Sequence, residues 1–219
     1  GNLATENDKK RMYSVYRKSC FVMNSLAFIC CAGFIACIQD FIYIVFGSNF
    51  VLSFSCVLIL VFSMLIYLLD IPIISVQNAM GLHRCDAGVM IIQAVLAIAC
   101  GYGAGKVWGM EGILLGLTIP TVIFTFIHKG IVISKVAFEV TSYKYLKDMG
   151  SDLIKGIVII GVISAICNCI PAWNPVIAMI LKGILSVIIS GILIIAFSFK
   201  SEYFKETLAM LMRVLKLQK

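Results

Sequence analysis

The sequence predicts an all-α fold, a polytopic membrane helical bundle with six transmembrane helices and both termini in the cytoplasm. Of its 219 residues, 61% are hydrophobic and 13% are charged, whereas soluble domains carry about 25% charged residues. Six apolar stretches alternate with short polar gaps, and crossing the hydrocarbon core takes roughly 20 residues. Sixteen of the 18 lysines and arginines lie in alternate gaps or within one turn of them. The positive-inside rule places those gaps, with both termini, in the cytoplasm.

The six stretches give the order of the predicted helices. They are residues 19–38, 50–80, 87–107, 112–128, 153–170 and 174–199. Because a helix rises about 1.5 Å per residue, each stretch can cross the core. Residues 1–18 then form a basic cytoplasmic lead-in, residues 19–199 a single six-helix lobe, and residues 200–219 an interfacial tail.

Individual residues mark the ends and irregularities of these helices. Gln39 and Asp40 close the first helix at its outer end, where water reaches them. Pro72 removes a backbone hydrogen bond and predicts a kink in the second helix. The glycines of residues 101–105 do not have the spacing of a phosphate-binding loop, and they favour close helix packing or a loosened helix end. Lys182 enters two turns into the sixth helix, and we expect it to snorkel outward rather than to pair with a buried counter-ion.

Two polar segments are predicted to lie at the membrane interface. The tail repeats hydrophobic residues at helical spacing between basic ones, which predicts an amphipathic helix on the anionic inner leaflet. These hydrophobic residues are Phe204, Leu208, Leu211 and Leu215. Residues 129–150 mix aromatic and basic side chains, which is typical of a helix end anchored at the headgroups. These side chains are Phe138, Tyr143, Tyr145, Lys135, Lys144 and Lys147.

The second helix carries the strongest candidate site, a polar stripe. Ser63, Tyr67, Asp70, Ile74 and Gln77 recur at i, i+4, i+7, i+11 and i+14, which places them on one face. An ionisable group at membrane depth costs about 2.5 to 3.5 kcal/mol on insertion scales and tends to be retained for function. Beside the expected kink, we expect this face to line a water-filled cavity. The alternative is an interhelical hydrogen-bond seam without transport chemistry.

Other polar residues join the candidate list more weakly. Asn24 in the first helix faces either the same cavity or a neighbouring helix, and Gln93 in the third helix is equally open between packing and cavity. The sequence lacks the motifs of common enzyme classes. It has two histidines, no His-Glu-x-x-His pair for zinc and no Gly-x-Ser-x-Gly nucleophile elbow. The sequence therefore predicts no catalytic residue, no metal ligand and no cofactor. Its positive charge is split among four gaps, which argues against nucleic acid as a partner.

Four segments of residues 1–145 resemble one family in their residues, order and spacing. They are Gly1-Asn2-Leu3-Ala4-Thr5-Glu6, the segment from Asp40-Phe41-Ile42 to Phe46-Gly47, Asn78-Ala79-Met80-Gly81-Leu82 and Gly109-Met110-Glu111-Gly112-Ile113-Leu114-Leu115-Gly116. Together they resemble the polysaccharide transporters of the Wzx type, which belong to the multidrug, oligosaccharidyl-lipid and polysaccharide exporter superfamily.

This resemblance implies a flippase in a bacterial plasma membrane. Such a protein moves a sugar repeat linked to undecaprenyl diphosphate from the inner to the outer leaflet by alternating access. The implied partners are this lipid-linked oligosaccharide, membrane lipids and an N-terminal lobe of the same transporter, with this chain as the C-terminal lobe. In related exporters the first two helices of each lobe line the central cavity, and here those helices carry Asn24 and Asp70.

The chain also departs from the family pattern. Relatives often carry Arg-Asp where this chain has Gln77 and Asn78, and a Glu where it has Gln93. The resemblance therefore leaves Arg84, with the adjacent histidine, as the cation near the diphosphate, and Asp70 as a sugar or cation ligand. Two alternatives remain open at the sequence level. One is an exporter of a different small solute by cation coupling, and the other is a non-transporting membrane scaffold complete at six helices.

Overall fold

The computed structural model describes residues 9–82, 87–138, 140–170, 174–199 and 204. Throughout these ranges the chain is built from helices, without a β-strand. The helices are α1 (Lys9–Phe46), a 3₁₀ turn (Ser48–Phe50), α2 (Phe54–Met80), α3 (Ala87–Pro120), a π-helix (Thr121–Lys129), α4 (Gly130–Phe138), α5 (Ser142–Asn168) and α6 (Pro175–Ser198). The predicted all-α class is therefore confirmed.

Five helical segments of the described residues are long and apolar enough to cross a membrane. They are Arg11–Phe46, Phe54–Met80, Ala87–Phe138, Ser142–Asn168 and Pro175–Ser198. The chain is a multi-pass helical membrane protein. The count is five rather than the expected six because α3, the π-helix and α4 are counted together as a single segment of 52 residues, although Gly109 within it is not helical.

This long segment folds back on itself at Gly109. As a straight helix its 52 residues would measure about 78 Å, far more than the hydrocarbon core of about 30 Å. Gly109 has a φ of 60°, a backbone conformation that favours glycine. A Cβ atom on Gly112 would collide with the carbonyl of Ala104, and one on Gly116 would collide with the backbone at Gly101. The two arms, residues 87–108 and 110–138, are therefore packed antiparallel, and we call them together the hairpin.

The glycines of the third predicted helix serve this packing. Gly101 and Gly105 lie against Ile113 and its neighbours on the opposite arm, whereas Gly103 faces open space. Small residues let two helix backbones approach closely in a membrane. The expectation of close helix packing is confirmed for two of the three glycines.

Two helices begin earlier than predicted, and the segment before α5 is not a surface belt. α1 begins at Lys9 and α5 at Ser142, and one face of the early turns of each helix is buried. Phe138 and Tyr145 belong to the core, with the Phe138 ring stacked on Tyr16 at 4.8 Å between centroids. The expectation that these two aromatic residues anchor at the headgroups is wrong, because they fill the space between α1 and α5.

Helices α1 and α5 run parallel to each other. Tyr13 contacts Asp148, and Arg17, one turn later on α1, contacts Asp152, one turn later on α5. Gly156 continues this seam, since a Cβ atom there would lie 2.7 Å from the Phe28 ring. The core between α1, α2 and α5 is thus closely packed, as protein interiors are.

Helix α6 runs antiparallel to α1. Asp40 at the end of α1 pairs with Lys182 near the start of α6 at 2.7 Å, while Gly33 faces Ser186 further along. The expectation that Lys182 snorkels outward is wrong, because its ammonium lies close to a carboxylate on the neighbouring helix. The predicted amphipathic tail falls on residues 200–219, of which only Phe204 is described, and it remains a prediction.

Candidate functional site

The predicted polar stripe of α2 straddles the edge of the buried face. Asp70 is 1% exposed and Gln77 is buried, whereas Tyr67 is 63% exposed and Asn78 is exposed as well. Successive residues of an α-helix are turned by about 100°, so Tyr67 and Asp70 point about 60° apart. That difference is enough to put them on opposite sides of the boundary. Ser63, half-buried, lies on the boundary itself. The expectation that these residues share one environment is wrong.

Asp70 forms a buried ion pair with Lys129. Lys129 is the last residue of the π-helix, and its ammonium contacts Asp70 Oδ2. The Lys129 side chain is only 7% exposed. A charge taken out of water is tolerated when an opposite charge compensates it. The expected water-filled cavity around Asp70 is therefore replaced by a packed helix contact, and Lys129, which we assigned to a cytoplasmic gap, lies inside the bundle.

The π-helix that carries Lys129 begins directly after Pro120. Proline has no amide hydrogen, so the ladder loses the bond that residue 120 would donate to the carbonyl of Gly116. Runs of π-helix are rare and are found mostly as single turns at functional sites, whereas this one covers nine residues, Thr121–Lys129. It brings Phe126 and Lys129 to the buried side of the hairpin.

A polar cavity lies instead between α1, α5 and α6. Its volume is about 50 Å³, which leaves room for a few water molecules, since one needs about 10 to 15 Å³. Its polar lining consists of Arg17, Asn24, Ser25, Asp152, Lys155 and Ser198. Aromatic and aliphatic side chains, among them Phe21 and Ile159, close it on the other sides.

Asp152 is the centre of this cavity. Its Oδ2 accepts hydrogen bonds from Arg17 Nη1 at 3.0 Å and Asn24 Nδ2 at 3.1 Å. Its Oδ1 accepts one from Lys155 Nζ at 3.1 Å. The buried carbonyl oxygen of Asn24 accepts no hydrogen bond from any described residue. Because buried polar atoms are normally satisfied, this oxygen is the acceptor to which a water or a ligand group would donate.

A second, smaller cavity extends the polar region along α1. It measures about 10 Å³ and shares Arg17, Asn24 and Asp152 with the first. At its far end Tyr13 donates a hydrogen bond to Asp148 Oδ2 at 2.6 Å. From Tyr13 to Ser25 the polar region follows α1 for about 18 Å. We call this region the polar channel, without implying that it is open at both ends.

The sequence pointed to Asn24 and Ser25 among the residues of the polar channel, but not to its charged members. Asn24 was a candidate, whereas Arg17 entered only as a topology charge and Asp152 not at all. The available signal was the spacing of Asp148, Asp152 and Lys155 at i, i+4 and i+7, which places them on one face of a helix. It was missed because the fifth helix was expected to begin at residue 153.

The remaining candidates lie elsewhere. Gln93 donates to Thr121 Oγ1 at 3.4 Å and accepts from Thr125 Oγ1 at 2.7 Å. These bonds tie the two arms of the hairpin together, which corresponds to the packing alternative. Arg84 and the adjacent histidine lie outside the described residues.

Comparisons of this chain with protein-family models, with curated proteins and with solved structures found no match.

Proposed function

We propose that this chain is one lobe of a membrane transporter that moves a lipid-linked sugar repeat across the bilayer by alternating access. The observation that carries this proposal is the polar channel, a set of charged and hydrogen-bonding groups enclosed between helices long enough to span a membrane. Charged groups that face the interior of a membrane helix bundle or a water-filled cavity mark substrate or ion pathways.

The charges of the channel suit an anionic headgroup. Arg17 and Lys155 flank the single carboxylate Asp152 in the lining of the larger cavity. Proteins commonly bind phosphate through the guanidinium group of arginine and the ammonium group of lysine. A diphosphate-linked sugar would meet cations here and, in the carbonyl of Asn24, an acceptor for a sugar hydroxyl.

The cavity is too small for a sugar in this conformation. At about 50 Å³ it holds only a few waters, whereas ligand pockets measure about 300 to 1,000 Å³. Transport therefore needs the helices around Asp152 to separate. Charged groups that bridge α1 and α5 are the contacts that such a movement would break and re-form.

The exposed edge of α2 supports a second lobe as partner. Tyr67, Ser75 and Asn78 place polar groups on the outer surface of a membrane-spanning helix. Facing lipid, the Tyr67 hydroxyl and the Asn78 amide would lack hydrogen-bond partners, whereas Ser75 already donates to the carbonyl oxygen of Ile71 at 3.0 Å. Facing a water-filled cleft between two lobes, they would be hydrated and would offer hydroxyl and amide groups to a sugar. We propose that this edge lines the cleft.

The complete protein that contains this lobe can be tested in proteoliposomes loaded with a polyprenyl diphosphate oligosaccharide. We expect the protein to carry the sugar to the opposite leaflet, where an added glycosidase cleaves it. Arg17→Gln and Lys155→Gln should slow transfer at least about tenfold, since each removes a charge-assisted contact worth about 1.5 to 3 kcal/mol.

Lys106→Gln is the matched control, because Lys106 is an exposed cation that contacts only the Tyr102 ring among the described residues. It should transfer sugar at the rate of the unaltered protein. If the unaltered protein leaves the sugar in its original leaflet, the proposal is wrong. Export of a small solute by the same vesicles, dependent on an imposed cation gradient, would then favour the cation-coupled exporter.

A further inference from the structure

Two polar contacts between described residues join the hairpin to α2. At one end, Ser53 donates a hydrogen bond to Glu111 Oε1 at 2.7 Å. At the other end, Asp70 pairs with Lys129. The contacts are separated by 17 residues on α2 and 18 on the second arm, so the two helices run parallel. At about 1.5 Å per residue the contacts are about 26 Å apart, close to the thickness of the hydrocarbon core.

Between these contacts an apolar gap of about 430 Å³ opens to the surface along the line where the two helices meet. Its lining comes from one stretch of α2 and one stretch of the second arm, namely Leu58, Ile59 and Phe62 with Leu115, Thr118, Ile119, Val122 and Ile123. Side chains that face a gap lose the dispersion contacts that hold packed helices together. The side chains that line the gap therefore oppose relative movement less than fully packed side chains would.

The contact at Lys129 is the firmer of the two. Asp70 and Lys129 are both buried, and separating them would leave two uncompensated charges in the interior. Immediately beyond Lys129, α4 packs Ile133, Ala137 and Phe138 into the core. The Ser53 to Glu111 hydrogen bond is exposed. Each of the two side chains can therefore bond to water instead of to the other, with little change in free energy.

The first arm of the hairpin is little buried, since Gly101 is the one buried residue among residues 87–108, all of which are described. The second arm changes from α- to π-helix at Thr121, beside the gap. A segment with few buried contacts and an irregular hydrogen-bond ladder belongs to the parts of a protein that move most readily.

We infer that the hairpin swings relative to α2 about a pivot at Asp70 and Lys129. The Ser53 to Glu111 contact opens as the apolar gap widens, and it closes as the gap narrows. This inference concerns movement within the lobe and does not rest on the cargo proposed above.

The test uses pulsed electron paramagnetic resonance in lipid nanodiscs to measure two spin-label distances between α2 and the second arm of the hairpin. Spin labels are attached through ketone-bearing residues introduced by codon suppression, which leaves the native cysteines in place. One pair replaces Phe54 and Met110 beside the exposed contact, and the other replaces Tyr67 and His128 beside the pivot. All four positions are exposed. We expect a broad distribution with a second, longer component for the first pair and a narrow single distance for the second.

Glu111→Ala removes the closing contact and should shift the first pair toward the longer component without changing the second. Lys106→Ala is the control, since it removes a charge from the hairpin but no described contact to α2. Equal, narrow distributions for both pairs, unmoved by Glu111→Ala, would overturn the inference. So would a first pair that stays narrow while the pair beside Lys129 broadens, because the pivot would then lie at the other end.

Discussion

At the scale of residues, the two buried aspartates of the bundle differ in what surrounds them. Asp70 pairs with Lys129 within a packed helix contact. Asp152 is shared by Arg17, Asn24 and Lys155 beside a cavity that water can enter. A carboxylate beside open space can exchange one of its donors for a ligand, whereas a carboxylate enclosed in a packed contact cannot do so without leaving its counter-ion uncompensated. Asp152 is therefore the better candidate for a role in transport, and Asp70 for a role in holding the fold.

This difference predicts how substitutions of Asp70 behave. Asp70→Leu leaves Lys129 buried without its counter-ion and should destabilise the protein by about 3 to 5 kcal/mol. The double variant Asp70→Leu/Lys129→Met replaces both charges by apolar groups and should recover most of that loss. Thermal unfolding in detergent measures both effects. Protein level in the membrane should fall for the single variant and return for the double variant.

The opposite result would restore Asp70 as a ligand. If Asp70→Leu keeps the protein level but lowers transport, the ion pair contributes little to stability and the carboxylate acts on the cargo. A double variant as unstable as the single one would show that the pair is not the source of the effect. Lys106→Met, at an exposed position, controls for the loss of one lysine.

At the scale of elements, the arrangement of helices follows from where glycine and small residues allow backbones to meet. The hairpin closes through Gly112 and Gly116 against the backbone of the opposite arm. α5 approaches α1 and α2 where Gly156 leaves room for Phe28 and Leu65. In a membrane the hydrophobic effect does not drive helices together, so close van der Waals contact has a larger share in their association.

The hairpin glycines supply a matched pair of substitutions. Gly116→Ala places a methyl group into the backbone at Gly101, whereas Gly103→Ala meets open space. Overpacking of this kind costs about 1 to 3 kcal/mol, while alanine in an unobstructed helix is favoured over glycine by about 1 kcal/mol. We expect a lower unfolding temperature for Gly116→Ala and an unchanged or higher one for Gly103→Ala. Equal effects of the two would mean that the arms are not in backbone contact.

How much the sequence could reveal differs between elements and sites. The spanning segments were predictable because hydropathy and the placement of charge are local properties of the chain. Partners of buried charges were not, since Lys129 is 59 residues from Asp70 and Arg17 is 135 from Asp152. Helical spacing alone put Tyr67 and Asp70 on one stripe, but it does not show where the buried face ends. That boundary is set by the neighbouring helices.

At the scale of the whole molecule, the directions of the helices form an alternating set. α1 and α5 run parallel, as do α2 and the second arm of the hairpin, while α6 runs antiparallel to α1. The fold-back at Gly109 reverses the chain once more. Alternating directions are what six crossings with both termini on one side require, so we propose that each arm of the hairpin crosses the membrane.

Native lysines can test this topology in intact cells. Lys106 lies near the tip of the hairpin, and Lys144 and Lys147 lie at the start of α5; all three are exposed. If the arms cross and the basic gaps are cytoplasmic, an amine reagent that cannot pass the membrane should modify Lys106 from outside, and Lys144 and Lys147 only after the cells are opened. Mass spectrometry of the peptides identifies each site. Lys106 reacting only in opened cells, together with Lys144, would mean that the hairpin enters and leaves on the cytoplasmic side, which leaves four crossings and a re-entrant segment.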